Sequence, residues 1–171
     1  ISSECFSKKL LGENIDLKKS YDLAICLEAA EHEKEKFSDL IVENLTKASK
    51  VILFSAALPG QGGTNHINEQ PPEFWQKKFE DHRYTQFDII RPIIWDDPAV
   101  AWWYKQNIFL YVHEESIDAL KLLDHANSLT QKHIVHPECL SSKITELDID
   151  NASVTNLSKA LLRRIKNKLI R

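Results

Sequence analysis

Methionine is absent from this 171-residue sequence, and glycine and cysteine are scarce, with four and three residues. Cys5, Cys26 and Cys139 are scattered and odd in number, which implies no disulfide framework and makes a reducing, cytoplasmic setting the expectation. No apolar run approaches the roughly 20 residues of a membrane span, and no signal-peptide pattern opens the chain. An excess of basic charge is missing too. Lys and Arg number 22 against 25 Asp and Glu, a net charge of −3, so no domain-wide field for nucleic acid exists. A start at Ile1 with no Met reads as a fragment or a processed product.

What is there is ordinary for a folded α/β domain: 43% hydrophobic and 27% charged residues, at a length of about one domain. Tyr21–Leu27 (YDLAICL) is a short apolar run that suits a strand buried on both faces. Glu33–Ser49 follows as a helix, with Phe37, Leu40, Ile41, Leu45 and Ala48 on one stripe. Val51–Ala57 (VILFSAA) is a second buried strand, which completes a βαβ unit. Pro59–Gln70 is an irregular loop, and Glu73–His82 a helix that turns Phe74, Trp75 and Phe79 inward. Tyr84–Ile90 and Asn107–Val112 read as strands, and Ser116–Ser128 as a helix. Lys143–Asn156 is polar and reads as linker. Leu157–Arg171 is basic and amphipathic, a helix that packs on the domain or on a dimer mate rather than on an anionic surface.

Three clusters could carry chemistry. Glu28-Ala29-Ala30-Glu31-His32 follows the first buried strand, where open α/β sheets bind ligands. A helix starting near Glu28 would place Glu28, Glu31 and His32 on one face, as two carboxylates and an imidazole that need a cation, a shared proton or solvent between them. The alternative is a solvated acidic first turn that complements the helix dipole. His66 and Glu69 lie in the loop after the second strand, just past Gly60, Gly62 and Gly63. Parallel neighbouring strands would open both loops at one sheet edge, letting His66 face Glu28, Glu31 and His32. Carboxylates favour Mg²⁺ or Mn²⁺ there, and the imidazoles shift preference toward transition metals. Alternatively, His66 ties down its own loop. His133, His136 and Cys139 have spacing similar to zinc ligands, but no second pair completes four. Trp75, Trp95, Trp102 and Trp103 read as core before pocket. No Gly-x-Ser-x-Gly elbow supports nucleophilic hydrolysis.

Together, YDLAICLEAAEH, ENLTKASKVILFSAALPGQGG, HINEQPPEFWQKKF and WYKQNIFLYV resemble the second half of class I S-adenosylmethionine-dependent methyltransferases over residues 21–112. The resemblance implies a Rossmann-like sheet that is incomplete at its N-terminus and ends in a helical tail. Its divisions would be a partial methyltransferase domain over 1–140 and a linker with basic helix over 141–171. The Glu-x-x-Glu-His pattern with a later His is similar to metal-dependent small-RNA 2′-O-methyltransferases. That likeness implies a divalent metal on Glu28, Glu31, His32 and His66. Glu28 and Ala29 would border the methionine end of the cofactor. Without metal, His66 would be the base, helped by Glu69. The glycine-rich cofactor loop of the family has no counterpart, and the PGQGG loop differs from that of the RNA enzymes. The expected activity is therefore methyl transfer to a hydroxyl of a small or glycosylated substrate. The rivals are a non-catalytic interaction domain, with a homodimer mate or a partner covering an exposed sheet edge, and a metal-dependent hydrolase.

Overall fold

The computed structural model describes residues 6, 8–17, 19–118, 120, 121, 134–147, 153–155, 158, 159 and 162. The chain divides into two compact units, Ile1–Ile134 and Val135–Arg171. In the first, four strands form one mixed sheet: β1 (Ala24–Leu27), β2 (Val51–Ser55), β3 (Tyr84–Phe87) and β4 (Phe109–His113). Their order is β1-β2-β4-β3; β1 and β2 are parallel, and β4 runs antiparallel to both β2 and β3. Helix α1 (Ser38–Ala48) connects β1 to β2, and α2 (Pro72–Glu80) connects β2 to β3. This is an α/β fold. Among the described residues no helix is long and apolar enough to cross a membrane.

One face of the sheet carries the main core. Ala24, Cys26, Ile52, Phe54, Phe109 and Tyr111 point to the same side because strand side chains alternate. They pack against Ile41 and Val42 of α1 and Trp75 and Phe79 of α2. Phe79 stacks on Tyr111 with ring centres 4.0 Å apart, and Phe54 meets Phe79 edge to face at 5.4 Å. Fully burying an aromatic such as Phe79 stabilises the fold by about 1.5–3 kcal/mol.

The other face is covered unevenly. Ile25, Leu53, Leu110 and Phe87 form one cross-strand row by register. Phe87 is buried at the β3 end, with Val112, Val51, Ile89 and Ile117 around it. Ile25 at the β1 end is 60% exposed. The expectation that the first strand is buried on both faces is therefore wrong. Its outward residues lack a covering layer among the described residues.

Several boundaries differ from the sequence reading for local reasons. The first helix starts at Ser38 instead of Glu33, because Lys34 is extended and Glu35–Phe37 makes a single tight turn. The stretch between β3 and β4 holds two short helices, α3 (Arg91–Ile94) and α4 (Trp102–Asn107). The strand at Tyr84 stops at Phe87, where Asp88 and the buried Arg91 guanidinium form an ion pair. Only α5 (Glu114–Ile117) is helical of the described part of Ser116–Ser128 and its approach; residues 122–133 lie outside the described ones. In the second unit, α6 (Pro137–Leu147) runs into the stretch expected to be linker. Pro137 at its start and Glu138 in its first turn suit a helix opening. The expected basic helix Leu157–Arg171 falls almost wholly outside the described residues.

Candidate metal centre

The two parallel strands end side by side, with Leu27 opposite Ser55. Both following loops therefore open at the same edge. Glu28 comes next at φ 47, a left-handed backbone conformation uncommon for a non-glycine residue. Its N–H is held at 3.0 Å by the carbonyl of Ser55 and at 3.0 Å by the Ser55 hydroxyl. This twist sends the chain into a 3₁₀ turn over Ala30–His32 rather than into a long helix. Glu28 consequently parts from Glu31 and His32, and the expected common helix face does not form.

The second loop is sewn onto the first. The N–H groups of Ile67 and Asn68 both donate to the carbonyl of Glu31, at 2.9 and 3.1 Å. Those bonds bring His66 over the Glu31 side chain. His66 Nε2 lies 4.0 Å from Glu31 Oε1. The His32 and His66 rings meet edge to face at 5.0 Å, and His32 Nδ1 is 3.4 Å from the carbonyl of Asn65. Glu31, His32 and His66 each offer one ligand atom, and these atoms lie within 4.8 Å of one another.

Glu31 is the unusual member. Its side chain is fully buried, yet neither carboxylate oxygen has a hydrogen-bond partner. Burial pushes its pKa up from 4.5 to about 7, the charge of Glu28 adding to the rise while the nearby backbone amides of Glu31 and Ala57 and the field of His66 pull it back. Buried polar atoms without partners are rare in folded proteins and call for an explanation. Cys26 offers none: burial, with the fields of Glu31 and Glu28, pushes its thiol up to about 12, so it stays protonated and weak as a ligand.

Glu69 supports the centre from behind. Its carboxylate receives the N–H groups of Gly60 at 2.8 Å and Gly62 at 2.7 Å, and stands 3.1 Å from His66 Nδ1. A carboxylate on Nδ1 fixes the ring and leaves Nε2 for a metal or a proton. Gly63 makes room for that ring, since a Cβ there would lie 2.4 Å from His66 Nε2.

Glu28 stands outside the group of three. Its carboxylate accepts from Asn107 Nδ2 at 3.1 and 3.3 Å and from Gln61 Nε2 at 3.2 Å. Gln61 Oε1 in turn accepts from Asn107 at 2.8 Å and from Gln106 at 3.2 Å. Ala29 is half-buried against the core. A cleft of about 280 Å³ joins these parts, lined by Glu28, Glu31, His32, Gln61, Gly62, Gly63, His66, Trp102 and Trp103. Trp75, in contrast, belongs to the core.

Sequence reasoning missed the carboxamides Gln61, Gln106 and Asn107. Gln61 sits inside the glycine cluster and Asn107 just ahead of a strand, which were the available signals. His133 lies outside the described residues, and His136 Nδ1 accepts the N–H of Glu138 at 3.3 Å, where it caps α6.

No protein-family model matches the chain, and neither a curated protein nor a solved structure matches it. Function must therefore be argued from the site. The donor set fits a divalent ion: one carboxylate whose buried oxygens lack protein partners, and two imidazoles within reach of it. Three protein ligands leave coordination positions for water or substrate, as in catalytic sites. The mixture of oxygen and nitrogen donors suits Mn²⁺ better than Mg²⁺.

Proposed function

We propose that the protein is a metal-assisted, S-adenosylmethionine-dependent O-methyltransferase that acts on a hydroxyl of a small or glycosylated substrate. The observation that carries the metal part is the buried, unpartnered Glu31 carboxylate beside His32 and His66 at the tips of two parallel strands. The methyltransferase part is supported by the sequence resemblance and by the sheet order, in which antiparallel β4 lies between β2 and β3. S-adenosylmethionine supplies an electrophilic methyl group when bound. Glu28 and Ala29, at the tip of β1, would border its methionine end.

The chain's own residues do three things in this reading. Glu31, His32 and His66 would hold the ion, which acts as a Lewis acid toward a substrate hydroxyl. Glu69 orients His66 through Nδ1. Without the ion, His66 Nε2, its ring oriented by Glu69, would take the hydroxyl proton instead. The test is methyl transfer from labelled S-adenosylmethionine to a panel of hydroxyl acceptors, with and without Mn²⁺. Metal-dependent transfer that Glu31→Ala or His66→Ala abolishes is expected. Wild-type transfer by both variants would remove the metal-assisted mechanism. Metal-dependent hydrolysis that ignores S-adenosylmethionine would point to a hydrolase instead.

A second reading, a non-catalytic interaction domain, is favoured by the exposed Ile25 on the outermost strand β1. Calorimetry with S-adenosylhomocysteine separates the two. Micromolar binding supports the enzyme, and a folded chain that binds none supports the interaction domain.

A further inference from the structure

The cleft has two walls that metal binding leaves unused. One is aromatic. Trp102 and Trp103 open α4 and meet edge to face at 5.5 Å, and Trp103 is 38% exposed. The other is Glu28. Its carboxylate is clamped by side-chain amides from the glycine loop and from the end of α4, over a backbone at φ 47. A non-glycine residue in that conformation persists only where its surroundings enforce it, and such positions gather at functional sites. A carboxylate has about four acceptor positions. The clamp engages both oxygens without filling all of these positions, and Glu28 also lines the cleft.

Charge narrows the occupant. No Lys or Arg lines the cleft among the described residues, whereas Glu28 and Glu31 both do. In the metal-free cleft a phosphate or carboxylate on the ligand would face these acids with no Lys or Arg to offset them, a penalty in a partly buried site. A neutral ligand rich in hydroxyls meets every wall at once. Its O–H groups donate to Glu28, one of its oxygens reaches the unpartnered Glu31 group, and its C–H face lies on an indole.

We infer that the cleft seats an uncharged sugar ring, stacked on Trp103, with adjacent hydroxyls held by Glu28 and a further hydroxyl presented to Glu31, His32 and His66. Glu28 is then a specificity residue. Trp103 is the platform. The inference rests on the methyltransferase reading only for what happens to the presented hydroxyl.

Saturation-transfer NMR on the 171-residue chain tests the seat without metal. The probes are methyl glucopyranoside, methyl galactopyranoside, methyl mannopyranoside, adenosine and adenosine 5′-monophosphate. Saturable binding of at least one neutral probe is expected, with the monophosphate at least about tenfold weaker than adenosine. Trp103→Ala and Glu28→Gln should each weaken the neutral probe about tenfold, while Mn²⁺ affinity by calorimetry stays within about threefold. Circular dichroism confirms folding of both variants, and Trp103→Leu serves as a milder second variant. Failure of all neutral probes, equal binding of the monophosphate, or no loss in either Trp103 variant would overturn the seat. Failure of Mn²⁺ to bind the parent chain, with sugar binding kept, would instead remove the metal-assisted mechanism and leave the seat standing.

Discussion

Two carboxylates three residues apart have opposite surroundings in this protein. Glu28 is held by the amides of Gln61 and Asn107. Glu31 is fully buried, and its carboxylate oxygens make no well-formed hydrogen bond. The contrast comes from the backbone between them. The left-handed turn at Glu28 aims its side chain at the end of α4, and the tight turn after it tucks Glu31 under the glycine loop. A partnered acid is fixed in place and keeps only its spare acceptor positions for a ligand. An unsatisfied one, kept at the cost of desolvation, is completed by something that binds.

The sharpest way to break this comparison is to remove each acid in turn. Glu31→Ala should weaken Mn²⁺ binding about 100-fold or more by calorimetry, and Glu28→Ala should leave it within about threefold. Equal losses would mean that both acids belong to one ligand set.

Proton linkage gives the next largest effect. The folded pKa of Glu31 is raised from 4.5 to about 7, so the native state holds a proton that the unfolded chain releases. This contribution to stability is fully present below about 4.5 and is lost as pH rises through about 7. The metal-free protein should therefore melt at lower temperature as pH climbs across that window. Glu31→Gln should flatten the profile. Mn²⁺ affinity should run the other way and grow with pH, because the ligand must be ionised.

Gly63→Ala drives a methyl group into the His66 ring and should lower stability by about 2 kcal/mol, with a parallel loss of Mn²⁺ affinity. Thermal melts and calorimetry read both effects. Asn107→Ala removes one of Glu28's two amide partners and a partner of Gln61. It should cost about 1–2 kcal/mol in a denaturant titration and spare Mn²⁺ binding.

Much of the scaffold was legible in the residues. The apolar runs at Ala24–Leu27 and Val51–Ser55, the stripe of α1 and the Pro-led start of α2 all carry their own periodicity or punctuation. The meeting of Glu31, His32 and His66 was legible too, because parallel neighbours open their loops at one edge. Other features were hidden by their physics. The exposure of Ile25 depends on what covers a sheet face, which strand hydrophobicity alone does not reveal. The break at Lys34, where the backbone turns extended before a short tight turn, leaves no mark in the helical pattern of the residues. The clamp on Glu28 joins residues 79 positions apart in the chain, and a carboxamide carries no signal of its partner before the chain is folded.

The carbonyl of Glu31 holds the amides of Ile67 and Asn68. Whatever occupies the side chain therefore also loads the rivet between the two loops. Hydrogen exchange at those two amides should slow on ligation, so the backbone could report an occupant before any turnover is seen.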